Sequence, residues 1–161
     1  LPGVGAYDRG VTGLEDSGLA EVVTTAAHSG MPVLGICLGM QLLCESSDEG
    51  SRRGLALLDA HCERFSVTDA SLRVPHMGWN WVSPARDHPL NPDPSTEDKF
   101  YFAHSYHVVC HDPANVVGLT THGEAFPALV ARENVAGAQF HPEKSHRFGM
   151  DFLRRFSEWT P

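Results

Sequence analysis

The chain has 161 residues, 12 basic against 20 acidic side chains for a formal net charge of −8, and four cysteines. That length suits one domain, 1–161, with a buried core, and an acidic balance in which basic residues cluster no further than Arg52–Arg53 and Arg154–Arg155 argues against nucleic acid as a partner. No apolar run approaches the ~20 residues of a membrane span, no charged-then-apolar leader opens the chain, and the cysteines lack close pair spacing, so a cytoplasmic protein without membrane association is expected.

The chain opens on the glycine-rich loop Leu1-Pro-Gly-Val-Gly5, which lets backbone approach a ligand closely. A phosphate loop is a poorer reading, because the lysine and the following helix of that motif are missing. The spacing predicts a helix from Gly13 to Ser29 with Leu14, Leu19, Val22, Val23 and Ala26 on one face, Asp16 and Ser17 near its start and Gly30 closing it.

Pro32-Val-Leu-Gly-Ile36 then reads as a short apolar strand, and Leu38, Gln41, Leu42 and Glu45 fall at helical spacing to about Ser46. Cys37 sits where the two meet, flanked as Gly35-x-Cys-x-Gly39, the thiol counterpart of a nucleophile elbow. A lone cysteine in an apolar run is more often a packed core residue. The paired glycines and the change from strand to helix favour a nucleophile, and the helix N-terminus should favour its thiolate. Cys44, Cys62 and Cys110 lack that context and read as core or surface thiols.

Asp48 to Gly54 reads as an exposed loop, and short strands are expected from Leu55 to Val82, among them His61–Phe65 and the run toward Asn80. Ser83 to Asp98 reads as a loop or a short helix, Lys99 to Cys110 as one strand and Val116 to His122 as another. Ala128–Arg132 and Val135–Phe140, joined by Glu133-Asn134, carry the strongest hairpin signal. A final helix from Gly149 to Trp159 places Phe152, Phe156 and Trp159 on one face. One mixed α/β sheet flanked by helices is the economical architecture.

The second hairpin strand runs into Gln139-Phe-His-Pro-Glu-Lys144. In an extended segment His141 and Glu143 share a face, with Pro142 directed away. An imidazole that takes a thiol proton needs its other nitrogen fixed by an acceptor, which Glu143 can supply. An exposed ion pair would look the same, yet with Cys37 upstream the set becomes a Cys-His-Glu triad. The backbone N–H of Leu38, aided by the Val4–Gly5 loop, would then stabilise an oxyanion. Ten histidines raise the question of metal, but there is no Cys-x2-Cys or His-Glu-x-x-His, and His104 and His107 should point to opposite faces of a strand. No metal or other cofactor is expected.

Leu1–Ala6, Gly35-Ile-Cys-Leu-Gly-Met-Gln41 and Gln139–Ser145 resemble the signature blocks of class I (triad) glutamine amidotransferases, whose fold is flavodoxin-like. Val74-Pro-His-Met-Gly-Trp-Asn80 and Tyr101-Phe-Ala-His-Ser-Tyr106 narrow the resemblance to the glutaminase subunits of imidazole glycerol phosphate synthases, from histidine biosynthesis. The resemblance implies hydrolysis of L-glutamine through a thioester on Cys37, and delivery of ammonia to a (β/α)8-barrel cyclase partner in a heterodimer. It also implies glutamine contacts at Gly5, Gln41, Ser105, Tyr106 and Glu49, and a partner-facing surface at Trp79, Tyr101 and Lys144. Core packing is the plain alternative for the aromatics, and of Trp79 and Trp81 one is expected to be buried. A different class I glutaminase, a non-catalytic subunit of the same fold and a cysteine peptidase are the rival functions.

Two departures from the family pattern stand out. A strand-helix-strand of roughly 40 to 50 residues that precedes the glycine loop in the family is not found here, so these residues alone should expose apolar surface and be less stable than the intact subunit. His107 stands where the family more often has an aromatic residue.

Overall fold

The computed structural model describes residues 1–92 and 98–161; the part of the expected 83–98 loop that falls on 93–97 lies outside the described residues. In chain order the elements are β1 (Pro2–Gly3), α1 (Tyr7–Asp16), α2 (Leu19–His28), β2 (Val33–Cys37), α3 (Leu38–Leu42), β3 (Ser46–Ser47), β4 (Ala60–Arg64), β5 (His76–Trp81), β6 (Ser83–Pro84), β7 (Lys99–His104), β8 (Tyr106–Cys110), β9 (Val116–His122), β10 (Glu124–Arg132), β11 (Val135–Ala138) and α4 (His146–Glu158). The main sheet is mixed, in the order β1-β2-β11-β10-β9-β6, with β1, β2 and β11 parallel and the rest antiparallel. A β3-β4-β8 sheet and a β5-β7 ribbon accompany it.

The period of 2 in the strands feeds a core on each face of the main sheet. Leu34, Leu129, Ala136 and Ala138 join Phe100, Phe126, Phe140 and Phe152 on the α4 side. Val33, Val130 and Val135 face the other way, onto Met40, Leu43, Leu58 and the partly buried side of α2. Phe140 stacks on Phe100 at 4.0 Å between ring centroids and meets Phe152 of α4 edge-on at 5.0 Å. The hairpin forms at the expected turn, with Arg132 opposite Val135, and β9 has the expected bounds. Among the described residues no helix is long and apolar enough to cross a membrane.

Several local expectations are corrected. The helix expected over 13–29 is two helices, because Gly18 adopts φ +72 and ends the first run; Asp16 and Ser17 therefore close α1 rather than open a helix. Leu19 and Val22 stand exposed at 48% and 60% instead of facing the core. A helix does follow the opening loop, starting at Tyr7 with its first N–H donated to Glu49 Oε2 at 3.0 Å. Helix α3 stops at Leu42, short of Ser46, and the second hairpin strand stops at Ala138.

The strand expected over 99–110 breaks at Ser105 into β7 and β8, which belong to different sheets. That break overturns the opposite-face placement of His104 and His107. Both are buried and both pack on Phe65, at 5.2 and 4.7 Å between centroids, so His107 occupies an aromatic's place.

His104 belongs to a directed chain of hydrogen bonds. Its Nδ1 donates to the Tyr106 carbonyl at 2.8 Å, which leaves Nε2 to accept from His76 Nδ1 at 3.2 Å. His76 Nε2 then accepts from Asn80 Nδ2 at 3.2 Å. The chain requires both rings neutral, and desolvation lowers His76 from 6.5 to about 4 and His104 to about 3. Because the unfolded chain takes up these protons first, stability should be complete above pH 6.5 and fall as pH drops toward 4 and below. Thermal melts from pH 7.5 to 4 of the parent and of His76→Phe should show a shallower acid loss in the variant, as one of these protons is then removed.

Candidate active site

Parallel strands leave their carboxyl ends on one edge of a sheet, where connecting loops converge. Here the register sets Gly3 of β1 opposite Cys37 of β2, and Ala138 of β11 opposite Ile36. Val4–Gly5, Cys37–Leu38 and Gln139–His141 therefore leave three adjacent strand ends together. They border a cleft of about 430 Å³ whose wall is completed by residues following α3 and by the β7–β8 break.

Cys37 turns the chain from β2 into α3 with φ 53 and ψ −112, a conformation unfavourable for any residue with a Cβ, by about 1–3 kcal/mol. The neighbouring structure holds it there. β2 is paired on both sides, and Gly35 lets α3 fold back onto the strand, since a Cβ on Gly35 would lie 2.7 Å from the Gly39 carbonyl. The Leu38 N–H points to the sulfur and favours the thiolate, but desolvation outweighs it and pushes the thiol up to about 11. The helix N-terminus thus favours the thiolate through the Leu38 N–H, as expected, but burial outweighs it in the resting site.

His141 is buried, and its Nδ1 lies 2.8 Å from Glu143 Oε1, leaving Nε2 free on the cleft side. The pairing is not made in an extended strand, as expected. Residues Pro142–Lys144 form a 3-10 turn, Pro142 is buried rather than directed away, and the carboxylate swings under the ring. Ser145 locks this turn: its hydroxyl donates to the His141 carbonyl at 2.6 Å and accepts the Tyr101 N–H at 3.0 Å, while the His141 N–H donates to the Tyr101 carbonyl at 2.8 Å.

Val4, Gly5, Leu38, Gln41, Glu49, Ser105, Tyr106 and Lys144 all line the cleft with Cys37 and His141, whereas Glu143 stands behind the imidazole. Gly5 has φ +104, and Val4 is exposed at 77%. Gln41 is not free: its Nε2 donates to the Tyr106 carbonyl and to Gln139 Oε1, both at 3.0 Å. Glu49 likewise has one oxygen committed to Tyr7. Trp79 and Tyr101 lie outside the cleft. Neither Trp79 nor Trp81 is buried, at 44% and 50% exposure, because residues two apart on a strand share a face. Trp79 stacks on His146 at 5.3 Å and meets Tyr101 edge-on at 6.1 Å, and the Lys144 ammonium sits over the Tyr101 ring at 5.7 Å.

Residues not anticipated from sequence complete the wall: Pro75, Met77, Ala103 and His104. Gln139 was not anticipated either; it does not line the cleft and lies in the second hairpin strand's own continuation. It is fully buried and its Oε1 accepts from Gln41, while its amide nitrogen makes no hydrogen bond among the described residues and favours the Cys37 thiolate only weakly against burial. A glutamine inside the apolar run Val135-Ala-Gly-Ala-Gln-Phe140 was the available signal, since burying a primary amide is costly unless it has polar work to do.

This arrangement can carry an acyl transfer, with a thiol, an oriented base and backbone donors on one cleft. Comparisons with known proteins agree. Residues 2–158 match the family model for class-I glutamine amidotransferases. The chain is 46% identical over 159 residues to imidazole glycerol phosphate synthase subunit HisH 2 of Pseudomonas aeruginosa, covering 98% of this chain and 78% of that one. It is 45% identical over 161 residues to subunit HisH of Desulfitobacterium hafniense strain Y51, covering 99% and 75%. Two solved structures share the fold at lower identity: a glutamine amidotransferase, with a TM-score of 0.65, 18% identity and coverage of 97% and 77%, and PurLQS of Thermotoga maritima, with 0.65, 20% and coverage of 87% and 67%. With the mixed sheet, the strand-end cysteine and a family match over nearly its whole length, the chain belongs to the class-I glutamine amidotransferases.

Proposed function

We propose that the chain is the glutaminase subunit of imidazole glycerol phosphate synthase, hydrolysing L-glutamine to glutamate and ammonia for a (β/α)8-barrel cyclase partner in histidine biosynthesis. The observation that carries this reading is the convergence of Cys37 and the Glu143-braced His141 on one cleft, in a chain 46% identical to such a subunit.

The Cys37 thiol passes its proton to His141 Nε2 as sulfur attacks the amide carbon. The carbonyl oxygen becomes an oxyanion held by the Leu38 N–H and the Val4–Gly5 loop. Collapse breaks the C–N bond, His141 returns the proton to the departing nitrogen, and ammonia leaves a glutamyl thioester. Water, deprotonated by the same imidazole, then attacks the thioester and releases glutamate and the Cys37 thiol. Gly5, Gln41, Glu49, Ser105 and Tyr106 border the space for the glutamine side chain and its α-groups. Exposed Trp79 and Lys144 with half-buried Tyr101 form an aromatic and cationic surface beside the cleft mouth, suited to a partner.

A thiol held up to about 11 is poorly activated at rest, so turnover should depend on the partner. Glutamate release by the full-length protein should rise roughly 10- to 100-fold when the cyclase and its nucleotide ligand are added. Glutamine turnover indifferent to the cyclase, or cleavage of peptides instead, would sink the assignment.

A further inference from the structure

A second polar constellation lies away from the cleft, on the outer face of the β3-β4-β8 sheet. Strand β4 alternates, with Ala60 and Cys62 buried and His61 and Glu63 outward, and Asp59 continues the outward row. The ladder sets Ala60 opposite Cys110, and the His111 N–H donates to the Asp59 carbonyl at 3.1 Å, so His111 joins His61 on that face.

The two imidazoles stack with centroids 5.3 Å apart, and each is gripped from behind by a carboxylate: His111 Nδ1 lies 2.7 Å from Asp59 Oδ1, and His61 Nε2 lies 2.8 Å from Glu63 Oε1. An ionised carboxylate only accepts, so each rear nitrogen carries the proton. The front nitrogens, His61 Nδ1 and His111 Nε2, face each other 3.2 Å apart, and in the neutral rings both carry lone pairs. Two acceptors at that distance repel unless a positive centre lies between them. Ligands of one tetrahedral ion with metal–nitrogen bonds of about 2.0–2.1 Å are about 3.4 Å apart, and metal-bound imidazoles commonly donate their other N–H to a carboxylate. Glu45 and Asp59 each bring one ligand atom within 4.8 Å of one on His111, a group to which His61 does not belong.

We propose that His61 and His111 form a binding site for a divalent transition metal ion such as zinc, with Asp59 and Glu63 orienting the rings. The side chains of both histidines are partly exposed, at 30% and 46%, so the ion can enter from solvent and complete its shell with water. It would clip β4 to the end of β8. Sequence spacing could not disclose the pair, because the two ligands are 50 residues apart and meet only across a ladder.

Zinc titrated into the full-length protein by calorimetry should bind at one equivalent, with the same affinity in Cys37→Ala, and should raise the melting temperature. His61→Ala and His111→Ala should each weaken binding at least tenfold and abolish the thermal shift, while Glu63→Gln should weaken it about tenfold. Cobalt at the site should show a d–d spectrum without sulfur-to-metal charge transfer. The proposal is overturned if the parent binds no stoichiometric zinc, if the histidine variants bind as tightly as the parent, or if the cobalt spectrum reports thiolate. It is equally overturned if NMR shows a single proton shared between the rings that zinc does not displace.

Discussion

Replacing Cys37 with alanine should lower glutamine hydrolysis by about 10⁴-fold or more, because no other group on the cleft can form the thioester and nucleophile, base and orienting carboxylate act as one unit. The fold should survive. The change removes one buried atom, and alanine tolerates the φ 53 backbone no worse than cysteine, so a stability loss of about 1 kcal/mol is expected. Glutamate release and a thermal melt on the same preparation check both halves; residual turnover within tenfold of the parent would remove Cys37 from the chemistry. The resting thiol supplies a second readout. Since it is raised to about 11, alkylation of Cys37 in the isolated protein should accelerate about tenfold per pH unit from neutrality upward and level off only near pH 11. A plateau near pH 7 would mean that the thiolate already exists without substrate or partner.

Gly35→Ala should be a severely damaging conservative change at the elbow. The new methyl would sit 2.7 Å from the Gly39 carbonyl carbon and oxygen and 2.7 Å from Leu43 Cδ1, and two of those three atoms are backbone. Side-chain rotation cannot relieve that, so α3 must lift from β2, taking the Leu38 N–H and the Cys37 turn with it. A cost of about 3 kcal/mol is expected, at the upper end of overpacking, with glutaminase activity lost beyond what the unfolded fraction explains. Gly13→Ala is the control: it lies within α1 and nothing is within 4 Å, so it should be neutral or stabilise by about 0.5–1 kcal/mol. Equal denaturation midpoints for the two variants would show that close packing of α3 on β2 is not what holds the elbow.

Much of the site was legible because its pieces are local in sequence. Gly35-Ile-Cys-Leu-Gly39 encodes a strand, a turn and a helix in one short run, and Glu143 is close enough to His141 to brace it whether the segment is extended or a 3-10 turn. The misplacements have definite causes. Gly18 interrupts an otherwise continuous apolar helical pattern, and only its left-handed backbone shows that the chain turns there. His104 and His107 look like opposite faces of one strand until Ser105 sends the chain from one sheet into another. Trp79 and Trp81 flank Asn80, but a strand puts both on one face.

By itself, then, the sequence determined the α/β architecture and the hairpin, and it singled out Cys37, His141 and Glu143 as the candidate triad, since each follows from hydrophobic period and turn chemistry within a few residues. Only the tertiary structure decided how these behave. Parallel pairing of β1, β2 and β11 brings residues about 100 positions apart in the chain to one edge, where burial outweighs the Leu38 N–H and raises the Cys37 thiol. It also supplies partners that spacing cannot name: the Gln41–Gln139 amide pair, the Ser145 clasp on His141, and the facing imidazoles of His61 and His111. Desolvation and cross-strand geometry depend on what the rest of the chain packs against a residue, and no local pattern records that.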